Sequence, residues 1–116
     1  IMASLRREPG TIERWDDALR PCLRRAQTNP SAWLARAERV RASGGCDERV
    51  FIQDYSIELR LAAQGPFARL NEPVYVSPAE APGRLSDNQA QLLHDGNLSL
   101  AHFLADRPDL PRRLAL

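Results

Sequence analysis

The stretch 50–66, VFIQDYSIELRLAAQGP, constrains the fold more than any other part of the chain. It is the longest run rich in large apolar residues, and it lies mid-chain. Its odd positions are Phe51, Gln53, Tyr55, Ile57, Leu59, Leu61 and Ala63, apolar but for Gln53. Its even positions from Asp54 onward are Asp54, Ser56, Glu58, Arg60, Ala62 and Gln64, nearly all polar. A period of two belongs to a strand with one face on a core and one in water, so the interior of the stretch predicts a strand. On a helical wheel the same residues scatter, with Ile57 and Leu59 far apart. The ends point the other way, since Asp47 suits a helix cap and Gly65-Pro66 a helix stop. The strand is the preferred reading and the helix its alternative.

A chain of 116 residues holds one core and not two. Residues 11–116 are therefore expected to form a single small domain behind a flexible arm, residues 1–10. The apolar share of 43% argues against disorder throughout. No apolar run approaches the roughly 18 residues of a membrane-spanning helix. The opening IMASLRREPG has basic residues but no hydrophobic stretch behind them, unlike a signal peptide. A cytoplasmic location is the expectation. Ile1 is not an initiator, so either Met2 is the native start or the chain is a fragment of something longer.

All 16 basic residues are arginine. With 16 alanines and 16 leucines, this is the composition a GC-rich genome encodes, which points to a bacterium or its phage. Residues 1–45 carry nine arginines against five acids, and residues 46–116 seven against ten. Either the basic half meets an acidic partner or the two halves face each other, and the second needs no partner.

Thr11 is a candidate helix cap, and Trp15, Leu19, Cys22 and Ala26 recur at helical spacing, with Pro21 predicting a kink or restart. Asn29-Pro30 starts a second helix with Trp33, Ala37 and Val40 on its apolar face, ended by Ser43-Gly44-Gly45. The short connection predicts an antiparallel helical pair. Trp33, Gly44 and Asp47-Glu48 resemble the first-helix aromatic, turn glycine and second-helix opening of a tetratricopeptide repeat. Trp15-Asp16-Asp17-Ala18 with Pro30 resembles the tail of a preceding copy, over about 35 residues in all. The pattern breaks at Arg36 and Arg49, the spacing from Trp15 to Cys46 is 31 residues, and no third copy follows. The chain is not assigned to that family.

Beyond the central stretch, Val74-Tyr75-Val76 reads as a short second strand, placed at an edge by Pro73. Residues 77–85 form a proline-rich loop. Ser86-x-x-Gln89 is a capping box opening a helix that stops at Gly96. Asn97 caps another short helix with Leu100, Phe103 and Leu104, and Asp109 caps a last turn through Leu110, Leu114 and Leu116. The expected fold is α+β: an N-terminal antiparallel helical pair, a short central β-hairpin and a C-terminal cluster of short helices, with an all-α fold as runner-up.

Chemistry is sparse. Cys22 and Cys46 lack a CxxC or a histidine pair, so no zinc site is expected, and both read as core or free thiols. His94 and His102 straddle the break at Gly96 and share no face as metal ligands. The acids show no paired motif, and no glycine-rich phosphate loop occurs. No catalytic residue, cofactor or metal ligand is assigned. The arginines Arg20, Arg24, Arg25, Arg36, Arg39 and Arg41 are the one feature that implies a partner, or else a solvated face paired with Asp16, Asp17 and Glu38.

The reading is a non-enzymatic protein-protein interaction module, such as an adaptor, secretion chaperone or assembly subunit. Its candidate partner-binding residues are Arg20, Arg24, Arg36, Arg39, Val74, Tyr75, Leu100 and Phe103. A homodimer through the edge strand or the terminal helices is one form of it. The alternative is a small nucleic-acid-binding regulator using the arginine face, which the near-neutral charge disfavours. No membrane partner is expected.

Overall fold

A computed structural model describes residues 8–78, 82–84 and 87–110. The fold is α+β, with two antiparallel strands and four α-helices among these described residues. The chain runs β1 (Ile12–Trp15), α1 (Leu19–Arg24), a single 3-10 turn (Pro30–Ala32), α2 (Ala37–Ser43), α3 (Asp54–Ala62), β2 (Phe67–Leu70) and α4 (Gln89–Ala105).

The sequence reading correctly expects the α+β class but misplaces several elements. Residues 54–62 of the central stretch are the helix α3, as the end signals suggested, and not a strand. The alternation misleads because the polar residues among them do not face water. Ser56 and Glu58 are as buried as Ile57 and Leu59, each tied to a neighbouring loop. The helix is buried on more than half its circumference, so no single-face periodicity survives.

Residues 74–76 carry no strand, and the second strand is Phe67–Leu70, just after Pro66. It pairs with β1 in the register Ile12↔Leu70, Glu13↔Arg69, Arg14↔Ala68 and Trp15↔Phe67. The two strands are joined through α1, α2 and α3 and not by a tight turn. A bond from Gly10 N to Asn71 O (2.9 Å) continues the pairing. Glu8–Gly10 thus belong to the sheet's end, and the rest of the expected arm, residues 1–7, lies outside the described residues.

The N-terminal helical pair is also absent as drawn. Trp15 ends a strand. α1 starts at Leu19, which leaves Pro21 in its first turn, where the missing N–H costs nothing. Thr11 is no helix cap, since its hydroxyl donates to Glu8 O and accepts from Asn71 Nδ2. Asn29 does cap Ser31 N at 3.0 Å, but only one 3-10 turn follows before the chain extends at Trp33. A lone turn is costly to nucleate, and neither Trp33 nor Leu34 is buried to extend it. Gly44, at φ +82°, ends α2 in the left-handed conformation that the double glycine foretold. α1 and α2 each pack on α3. No tetratricopeptide-like hairpin forms.

α4 runs unbroken through Gly96 and Asn97, replacing the two short helices expected there. A mid-helix glycine costs only about 1 kcal/mol, which the packing of Asp95, Ser99 and Phe103 offsets. Asn88 caps it, accepting from Gln91 N. Ser86 of the expected capping box, Leu85 and the final turn at 111–116 lie outside the described residues.

The core gathers Ala18, Leu19 and Cys22 with Leu59 and Ala62 of α3 and Phe103 of α4. Leu59, 0% exposed, is the largest of its fully buried side chains. Leu59→Ala is expected to cost about 2–5 kcal/mol in urea unfolding, the range for emptying a buried leucine site. A loss under about 1 kcal/mol would place the core elsewhere.

Candidate functional site

Surfaces in this chain are held in place from behind by buried polar side chains. Glu58 sits on α3 and accepts from the backbone N–H groups of Gln27 (2.7 Å) and Thr28 (3.4 Å). Two residues on, Arg60 donates to Gly45 O at 2.9 Å. Between these ties the chain runs out and back as one strap, residues 27–45, that contains the 3-10 turn and α2. One turn earlier, Ser56 Oγ accepts from Asp47 N at 2.8 Å.

A second cluster forms where the loop after the strap meets α4. Asp47, 3% exposed, accepts from Arg49 N and Nε, and through its other oxygen from Arg49 Nη2 and His102 Nδ1 (2.7 Å). Arg49 extends to Asp106 at 2.8 Å. About two turns back along α4, Asp95 accepts from Ile52 N (2.8 Å), Gln91 Nε2 and His94 Nδ1. Arg49 hydrogen bonding holds the Asp47 carboxyl well below the usual carboxylate range. The His94 contact and the Ile52 N–H hold Asp95 down to about 2. Burial pushes Glu58 the other way, up from its ordinary value, against its two backbone donors.

Both histidines are therefore oriented by carboxylates, a pairing over 55 residues for His102 that sequence spacing gives no means to find. Orientation through Nδ1 is one requirement for a general base. A serine triad also needs a reachable nucleophile, and Ser99, one turn from His102 on α4, is 1% exposed with an Oγ that makes no hydrogen bond among the described residues. The Cys22 thiol is pushed up by burial and by Glu58, which keeps it protonated and inert. The polar clusters act as ties between segments.

The proposed partner-binding residues divide. Arg20, Arg24, Arg36 and Arg39 are all exposed. Arg20 pairs with Asp17 (3.5 Å) and Arg14 with Asp16. Arg24, Arg25, Arg36, Arg39 and Arg41 make no ion pair or side-chain hydrogen bond among the described residues, and Glu38 meets none of them. The expected salt-bridged face is thus real only at its first arginine. Val74 and Tyr75 are exposed, 57% and 41%, in a segment without regular structure.

Leu100 and Phe103 are a correction. Phe103 is 3% exposed inside the core, with Arg107 stacked on its ring at 4.1 Å, and Leu100 packs on the same cluster. The continuous α4 turns both inward, onto the monomer's own core.

Sequence reasoning missed several exposed apolar residues, among them Phe51 (68%) and Leu93 (69%), and two such features form surfaces. Ile12 and Leu70, 72% and 50% exposed, are cross-strand partners on the outer face of the β1–β2 ribbon. Leu34 is 99% exposed beside Trp33 on the strap. The run Ile12-Glu13-Arg14-Trp15 shows no period-two alternation, because Ile12 and Trp15 lie on opposite faces of β1, and so it gave no strand signal. No helix among the described residues is long and apolar enough to cross a membrane. Comparison with known proteins gives no match: no family model fits the chain, and no curated sequence or solved structure matches it.

The three carboxyls set opposed limits on stability. Asp47 and Asp95, depressed in the fold, contribute stability that is complete above the ordinary 3.8 and lost as pH falls, for Asp95 toward about 2. Glu58, raised, binds protons more tightly folded than unfolded, so stability is lost as pH rises above its ordinary 4.5. In urea-midpoint profiles, Asp95→Asn should flatten the acid limb and Glu58→Gln the limb above pH 4.5. A Glu58→Gln profile parallel to wild type above that pH would contradict the assignment.

Proposed function

We propose that this chain is a non-enzymatic protein-interaction module, an adaptor or assembly subunit, that pairs with a second copy of itself through the β1–β2 ribbon. The observation that carries the reading is the Ile12–Leu70 pair. Two large aliphatic side chains stand side by side on the outer face of a sheet only two strands wide. Among the described residues no third strand lines either long side of this ribbon, and a sheet edge is the template for adding another strand. The following residues Val74 (57% exposed) and Val76 (96%) lengthen the apolar stretch of chain available beside it. Leu100 and Phe103 serve the monomer's own core, while the Ile12–Leu70 pair makes no such contribution.

Light scattering after size exclusion, across micromolar concentrations, tests it. The wild type is expected to shift from monomer to dimer, and Ile12→Ser with Leu70→Ser to remain monomeric with unchanged circular dichroism. A wild type that stays monomeric throughout contradicts ribbon pairing.

The unpaired arginines favour a second reading, a small regulator that binds DNA or RNA. Its signature is affinity falling steeply with salt as counterions are released from phosphates.

A further inference from the structure

None of residues 24–46 is fully buried, although the strap within them is tied at both ends to α3. This segment adds almost nothing to the core, and its start and finish are fixed by Glu58 and Arg60, only two residues apart. The arginines it carries are therefore confined to one excursion of the chain. The strap holds Arg36, Arg39 and Arg41, and Arg24 and Arg25 precede it at the end of α1; this span of five arginines contains a single acid, Glu38. The rest of the chain, with the remaining eleven arginines and fourteen acids, is net acidic. Five guanidinium groups with no partner among the described residues thus share one span of chain with the exposed Leu34 and Trp33.

We infer that the strap is a docking surface for an acidic peptide segment bearing an aliphatic side chain, supplied by a partner protein. The inference rests on the reading of the chain as an interaction module and names the chemistry of a second partner for it. Guanidinium forks bind carboxylates in bidentate geometry, and unpaired exposed ones give up no existing ion pair on doing so. Leu34, 99% exposed, supplies the apolar contact that a peptide side chain fills and a phosphate backbone does not. A single-stranded nucleic acid gains affinity from aromatic faces to stack on, and Trp33 is only 37% exposed.

The test titrates a labelled glutamate peptide with a central leucine pair, and separately an oligodeoxythymidylate, into the full chain by fluorescence anisotropy. The peptide is expected to bind more tightly than the oligonucleotide. Arg24→Gln, Arg25→Gln, Arg36→Gln and Arg39→Gln together are expected to weaken it about tenfold or more, the scale of losing charge-assisted contacts. Leu34→Ser should weaken it less. These side chains have no partners in the fold, so helical circular dichroism should be unchanged. Absence of peptide binding, or equal binding by the four-fold variant, overturns the inference. Tighter, arginine-dependent binding of the oligonucleotide overturns it in favour of nucleic acid. The Ile12→Ser, Leu70→Ser variant should bind the peptide normally, so failure of ribbon pairing and failure of the strap are read separately.

Discussion

Buried side chains that accept from loop backbone N–H groups hold this domain together where regular structure does not. Residues 25–36 and 44–53 contain no α-helix or strand, and their backbone groups still need partners. Glu58 supplies them at Gln27 and Thr28, Ser56 at Asp47, and Asp95 at Ile52. Each acceptor comes from α3 or α4, the two helices that also carry Leu59 and Phe103 into the core. A charged acceptor is worth about 1.5–3 kcal/mol per bond, which exceeds a neutral one and suits loops with few apolar anchors. The cost is visible at Glu58, whose burial raises its proton affinity despite two donors.

The same arrangement accounts for the exposed surfaces. With its ends pinned by Glu58 and Arg60, the strap has no need to bury side chains of its own. Its arginines, Trp33 and Leu34 are consequently left facing outward. The ribbon closes the α1–α3 block by joining the residues just before it to those just after. One of its faces is spent on the core through Phe67, and the other is left with Ile12 and Leu70. Two unsatisfied surfaces of different chemistry, one aliphatic and one cationic, are the physical basis for the function proposed.

What the sequence made legible follows the physics of each signal. Gly44-Gly45 ended α2 and Asn29 capped its turn because those effects are local, decided by one residue's φ or one side-chain oxygen. The helical character of 54–62 was legible in its end signals and hidden in its interior. There Ser56 and Glu58 are polar for the sake of loops 9 and 31 residues away. The same blindness covers His102 with Asp47 and the placement of β2 against β1. Such partners are chosen by tertiary packing, and composition or periodicity records only that a polar or apolar residue is present. Of the candidate site, the arginines were found because their number is a sequence fact. Phe103 and Leu100 were misjudged because α4 continues through Gly96 and turns them inward.

Amide hydrogen exchange at Gln27 and Thr28, measured by NMR in the wild type and in Glu58→Ala, tests the central claim most directly. If a buried carboxylate holds the strap, both amides are protected in the wild type and exchange far faster in the variant, while amides within α4 keep their protection. Amides that exchange freely in the wild type, or remain equally protected without Glu58, would show that something else fixes the strap and would contradict the account.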